Sequence, residues 1–169
     1  MNRLVALIGP MGSGKTAVGR ELSALLGWPH RDTDAMVEER ARASIAEIFK
    51  SKGEEVFRDL EHEALEEALS SPPAVISCGG GIVERDDNMA LLTQCGHVVY
   101  LQAEPSELAR RVGDDTRRPL LEKGDPEQVL HMLAARRHGR YTDAATFIVR
   151  TDDLSPALLA HTIRQRVHP

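Results

Sequence analysis

The stretch LVALIGPMGSGKT, Leu4–Thr16, decides the fold. Its five consecutive apolar residues, closed by a glycine, read as a strand buried on both faces. The Gly, four residues, Gly-Lys-Thr pattern of Gly9–Thr16 matches the phosphate loop that joins such a strand to a helix. The glycines let the chain wrap closely round a phosphate with several N–H groups pointing inward, and the positive end of the following helix adds to the attraction. Lys15 supplies a mobile charge, and the Thr16 hydroxyl is placed to ligate the Mg²⁺ that accompanies a nucleoside triphosphate. A glycine-rich turn with an incidental lysine would share the bare pattern but not its setting between strand and helix.

Outward from this loop, glycine and proline divide the chain into short segments, with no internal repeat and no low-complexity tract. Ala74–Ser77 and the β-branched run His97–Leu101 read as further buried strands, and Trp28–Asp32 and Thr146–Arg150 as two weaker ones. Helical patterns fall at Thr16–Leu26, Asp34–Arg42, Ile45–Ser51, Glu54–Leu69, Asp87–Gln94, Ser106–Val112, Pro126–His138 and Ser155–Val167. This alternation predicts a three-layer α/β/α arrangement round a five-stranded parallel sheet, with ligands beyond the carboxyl ends of the strands. Gly113–Asp125 breaks the pattern with glycine near both ends, a proline and seven charges, and reads as a mobile loop.

Composition narrows the function. A chain of 169 residues with 41% apolar content suits a single domain spanning 1–169. The formal charge of -5 disfavours a general electrostatic grip on nucleic acid or an anionic membrane, so anion binding must be local. Aromatic residues at 4% leave little material for stacking on single-stranded nucleic acid. No apolar run approaches the ~20 residues that cross a bilayer, and Leu4–Ile8 is too short for a signal-peptide core, so a cytoplasmic protein is expected. Cys78 and Cys95 lack the spacing of a zinc site and are expected as reduced thiols. Monomer is the default expectation.

Several further residues point to an acceptor. Asp32 and Asp34, two apart at the end of the second strand, can both face the phosphate loop if that strand lies next to the first. One can hold the hydration shell of Mg²⁺ and the other accept a proton from an attacking hydroxyl, while capping of a helix beginning at Ala35 competes as an explanation of Asp34. Arg58 and Glu61, three apart on a helix, are ordinarily a surface ion pair; Gly79-Gly80-Gly81 allows a ligand close to backbone N–H groups but could be a hinge; Arg136 and Arg137 would ordinarily form a solvated basic face. Together they suggest a small hydroxylated acid whose carboxylate is clamped by arginines.

In this combination the chain resembles the shikimate kinase family over nearly its whole length. The matching features are GPMGSGKT, Asp32-Thr33-Asp34, SIAEIF at 44–49, Phe57-Arg58 with Glu61, the triple glycine, Arg118-Pro119-Leu120-Leu121, and Arg137 with Tyr141. The resemblance implies a P-loop kinase fold and transfer of the γ-phosphate of ATP to the 3-hydroxyl of shikimate, a step toward chorismate and the aromatic amino acids. Carried over by position, it implies that Asp34, Phe49, Phe57, Arg58, Glu61, Gly79, Gly80, Gly81 and Arg137 form the shikimate site, within a part at about 33–61 and beyond it. Asp34 would be the base, and Glu61 would fix Arg58. Gly12, Ser13, Gly14, Lys15, Thr16 and Ala17, with Arg111 and Arg118, would hold ATP; Lys15 and Arg118 would neutralise the transferring group; Thr16 and, through water, Asp32 would hold Mg²⁺. The loop at about 112–125 corresponds to a lid that excludes water.

The chain departs from the family pattern in places. Gly139 stands where the family usually carries proline, Arg140 is additional, Thr151–Leu154 replaces a region that often offers Arg or Asn beside the adenine, and Arg117 adjoins Arg118. A gluconate or nucleoside monophosphate kinase on the same fold is the nearest rival. A nucleotide-binding module without transfer activity is another, disfavoured by the presence of Lys15, Asp34 and Arg118.

Overall fold

The three apolar runs lie side by side because each must bury both faces. In the computed structural model, which describes residues 3–113 and 124–167, β1 (Leu4–Ile8) pairs in parallel with β3 (Ala74–Ser77) on one side and β4 (His97–Gln102) on the other. The shorter β2 (His30–Asp32) and β5 (Phe147–Arg150) take the edges, giving the order β2-β3-β1-β4-β5. All five strands are parallel, as the alternation predicts.

Alternate strand residues feed two cores. Ala6, Ile8, Ile76, Val98 and Tyr100 pack against α3 (Ile45–Leu69), α4 (Asp86–Leu92) and Tyr141 of α6 (Pro126–Ala144). Val5, Leu7, Val75, Val99 and Leu101 pack on the other face against Val18 and Leu22 of α1 (Lys15–Leu26) and Leu159, Ala160 and Ile163 of α7 (Pro156–Val167). The result is the expected three layers. None of the helices among the described residues is long and apolar enough to cross a membrane, and both cysteines are free thiols.

One condition is not met, and three expectations need correction. β2 lies beside β3 and not beside β1; adjacency is decided by the crossover, not by chain order, and the loops still bring Asp32 to the phosphate loop. Asp32 and Asp34 do not form an extended pair, because α2 (Thr33–Ala41) has already begun at Thr33. The capping residue is Asp32, whose Oδ1 accepts from Asp34 N at 3.1 Å and Ala35 N at 3.3 Å, which releases Asp34 from that role. Finally, α6 does not stop near His138 but runs to Ala144: Gly139 is a weak helix former, yet unlike proline it keeps its backbone N–H. The expected separation of two helices at 45–51 and 54–69 appears as a sharp break in α3 at Gly53, whose φ is 85°. A capping box between Ser44 and Glu47 starts α3.

Candidate active site

Gly12 and Gly14 take φ of 81° and 90°, a left-handed backbone that glycine adopts without strain, and α1 begins directly at Lys15. Lys15 Nζ donates to Gly9 O and Pro10 O, each at 2.8 Å, and so draws the loop round on itself. A cleft of about 340 Å³ opens over Gly12, Gly14, Lys15, Thr16 and Ala17. Ser13 is fully buried beneath it, with its N–H on Pro10 O at 3.2 Å. Arg111, on α5 (Pro105–Val112), borders the same cleft; it donates to Thr151 O at 2.9 Å, Thr151 Oγ1 at 3.0 Å and Glu107 Oε1 at 2.9 Å.

At the edge of this cleft Thr16 Oγ1 donates to Asp32 Oδ2 at 2.6 Å. A hydroxyl and a carboxylate side by side are hard oxygen donors of the kind Mg²⁺ takes when phosphates and water complete its shell, so the residues present fit that ion. Among the described residues no group of three or more His, Cys, Asp and Glu converges as an all-protein cage.

A second cavity, of about 70 Å³, adjoins the first. Phe49 and Phe57 wall it with rings 4.8 Å apart. Arg58 and Arg137 enter it from α3 and α6, and both are buried, at 9% and 3% exposure. The ordinary readings of a surface ion pair and a solvated basic face are thereby overturned for these two. Arg58 Nη1 donates to Glu61 Oε2 at 2.8 Å and Nη2 to Glu54 Oε1 at 3.1 Å, while Arg137 Nε donates to Glu84 Oε1 at 2.6 Å.

Burial of Glu61, at 1% exposure, pushes its pKa up to about 7; Arg58 opposes this only in part, and the nearby Asp34 charge adds to it. Burial alone would lower the Arg58 pKa, but the carboxylates of Glu61, Glu84 and Glu54 outweigh it and raise the value. One oxygen of Glu61, Oε1, has no hydrogen-bond partner.

The triple glycine is what permits this crowding. A β-carbon on Gly79 would lie 2.5 Å from Glu61 Oε1 and 2.7 Å from Asp34 Oδ1, and one on Gly81 would overlap the Arg58 guanidinium. Gly79 N donates to Thr33 Oγ1 at 2.9 Å, and the Tyr141 hydroxyl donates to Gly80 O, so the turn is fixed and is no free hinge. Asp34, Met11 and Gly80 line both cavities. Asp34 thus stands where a phosphate-binding cleft meets a charged, aromatic-walled one.

The structure brings the expected acceptor residues Asp34, Phe49, Phe57, Arg58, Glu61, Gly80, Gly81 and Arg137 round one cavity, with Gly79 just behind. Arg118 and most of the expected lid, 114–123, lie outside the described residues. Sequence reasoning missed Met11, Ile45, Glu54 and Glu84. The four-residue spacing of Glu54 and Arg58 was a usable signal; Glu84 had none.

Two cleft halves that share a carboxylate, one of them cradled by a glycine loop at the carboxyl ends of parallel strands, are the architecture of a P-loop kinase acting on a small molecule. The family model for shikimate kinase matches residues 11–168. A shikimate kinase of Chromohalobacter salexigens is 43% identical over 162 residues, covering 96% of this chain and 90% of that protein. One of Thermobifida fusca is 44% identical over 165 residues, covering 97% and 94%. The solved structure of shikimate kinase from Acinetobacter baumannii in complex with shikimate matches with a TM-score of 0.96 at 36% identity, covering 99% of this chain and 93% of that one. This chain belongs to the shikimate kinase family, whose members use ATP as phosphoryl donor.

Proposed function

We propose that this chain is one kinase domain, 1–169, that transfers the γ-phosphate of ATP to the 3-hydroxyl of shikimate, releasing ADP and shikimate 3-phosphate. The observation that carries the reading is the position of Asp34 at the junction of the two cavities, lining both. A carboxylate there is within reach of a hydroxyl aimed from the acceptor cavity at a terminal phosphate in the cleft, and can take its proton as the new P–O bond forms. ATP would lie over Gly12–Ala17 with Arg111 at its nucleoside end.

Thr16 and Asp32 would hold Mg²⁺, which neutralises charge across the phosphates when bound. Lys15 would exchange its two loop carbonyls for phosphate oxygens and stabilise charge on the transferring group, joined by Arg118 from the lid at about 112–125. Arg58 and Arg137 would clamp the shikimate carboxylate, with the backbone of Gly79–Gly81 against the ring hydroxyls and Phe49 and Phe57 against its face.

The test is ATP consumption by purified protein with Mg²⁺. Shikimate should drive turnover, whereas gluconate, nucleoside monophosphates or no acceptor should give almost none. Equal turnover with gluconate or a nucleoside monophosphate rejects the assignment.

A further inference from the structure

Glu84 belongs to no motif in the sequence, yet it stands where three arginines meet. It ends the short 3₁₀ turn Ile82–Glu84 that follows the triple glycine, and its side chain is 18% exposed. Oε1 accepts from Arg137 Nε at 2.6 Å and from Arg136 Nη2 at 2.5 Å, and Oε2 lies 3.8 Å from Arg58 Nη2. Burial would raise the Glu84 pKa, but the arginines, Arg137 foremost, outweigh it and hold the carboxyl below its usual value.

A guanidinium offers a carboxylate two edges, one through Nε and one through the paired Nη groups. Glu84 occupies Nε of Arg137. The Nη end is thereby turned inward, where Nη1 lies 3.7 Å from the place a β-carbon on Gly80 would take. The same turn is held to α6 by Arg140, which donates from Nε to Val83 O and from Nη2 to Asp86 Oδ1 at 2.6 Å. Val83, Glu84 and Asp86 therefore grip α6 on both sides of Gly139.

We propose that Glu84 is a positioning residue for acceptor binding: it fixes Arg137 by its Nε edge so that the Nη end, beside Arg58, presents a preset fork to a small carboxylic acid. This rests on the reading that Arg58 and Arg137 clamp the acceptor's carboxylate. Without Glu84, Arg137 keeps its charge and its hydrogen bond to the Tyr141 hydroxyl but loses the carboxylate that holds its Nε edge, so acceptor binding weakens while the phosphate side is untouched.

The experiment is steady-state kinetics on Glu84→Ala, Glu84→Gln, Arg137→Ala and the Glu84→Ala/Arg137→Ala double variant, with shikimate and ATP varied separately. Glu84→Ala should raise the shikimate KM about tenfold, leave kcat and the ATP KM within about twofold, and add less than about twofold in the Arg137→Ala background, since the two act as one unit. Glu84→Gln retains an acceptor for Arg137 Nε and should lie closer to the wild type than to Glu84→Ala. An unchanged shikimate KM in Glu84→Ala, a Glu84→Gln as impaired as Glu84→Ala, or a full additive loss in the double variant overturns the proposal. Failure of the underlying clamp looks different: Arg137→Ala itself would then leave the shikimate KM unchanged.

Discussion

The two halves of the cleft are built from different materials. The phosphate half is centred on one contiguous loop, Gly9–Thr16, whose backbone is shaped by glycines at positive φ, with Lys15, Thr16, Asp32 and Arg111 adding side chains at its border. The acceptor half is assembled from side chains on α2, α3 and α6 and from the turn after β3, and its charges are buried: Arg58, Glu61 and Arg137 are 9%, 1% and 3% exposed. Backbone N–H groups come with the fold and need no partner charge. Buried side-chain charges cost desolvation and hold only where each is paired, which is why Glu54, Glu61 and Glu84 surround two arginines. The difference gives the loop backbone a large share in holding a common donor, and leaves discrimination of the acceptor to a side-chain network that is sensitive to single atoms.

The sharpest way to break that division is at Asp34, the side chain both halves share. Asp34→Asn keeps shape and one oxygen but removes the proton acceptor. It should lower kcat by ~10²-fold or more while leaving the ATP KM near the wild-type value, because a positioned base is worth that much. A wild-type kcat would remove Asp34 from the chemistry and leave the two cavities merely adjacent.

A smaller effect separates the halves by pH. Glu61 has its pKa pushed up to about 7 from 4.5 by burial. Between pH about 5 and 7 the native protein keeps a proton there that the unfolded chain has released, so the contribution of Glu61 to stability falls as pH rises and is lost above about 7. Glu61→Gln cannot titrate. Its stability relative to the wild type, measured by urea denaturation, should therefore improve from pH 5 to pH 8 by about 2 to 3 kcal/mol, whatever the offset caused by the altered bond to Arg58. A difference that stays constant with pH would mean that Glu61 is an ordinary carboxylate and that the acceptor half carries less electrostatic strain than its burial implies.

The same contrast explains what the sequence makes legible. The phosphate half is readable residue by residue, because glycine spacing dictates a local backbone path and Lys15 and Thr16 follow at once. The five strands are readable too, since strands buried on both faces are continuous apolar runs. The neighbour of β2 is not, because pairing is settled by tertiary packing, and the shift of the helix cap from Asp34 to Asp32 reflects how loosely pattern alone locates a boundary. In the acceptor half, the spacing of Arg58 and Glu61 shows a pair but not its burial, and Glu84 meets Arg137 across 53 residues without any local mark. The length of α6 beyond Gly139 is set by Arg140 on Val83 and Asp86, contacts that exist only once the turn after β3 is in place.

The smallest expected effect is the one that most directly tests backbone recognition. Ser13 lies inside the phosphate motif and is fully buried, so a reading based on motif membership would rank its hydroxyl with the important groups. Its Oγ, however, is 3.5 Å from Lys15 Nζ, at the limit of a hydrogen bond, whereas Gly9 O and Pro10 O hold the same ammonium at 2.8 Å. What Ser13 gives the loop is its main chain, which alanine also provides. Ser13→Ala should therefore change kcat/KM for ATP by less than about threefold, the scale of one weak neutral contact. A tenfold or larger drop, with the shikimate KM unaltered, would show that the loop depends on the Ser13 hydroxyl as well as on its main chain, and the contrast between a loop shaped by backbone and an acceptor half built from paired buried side chains would no longer hold.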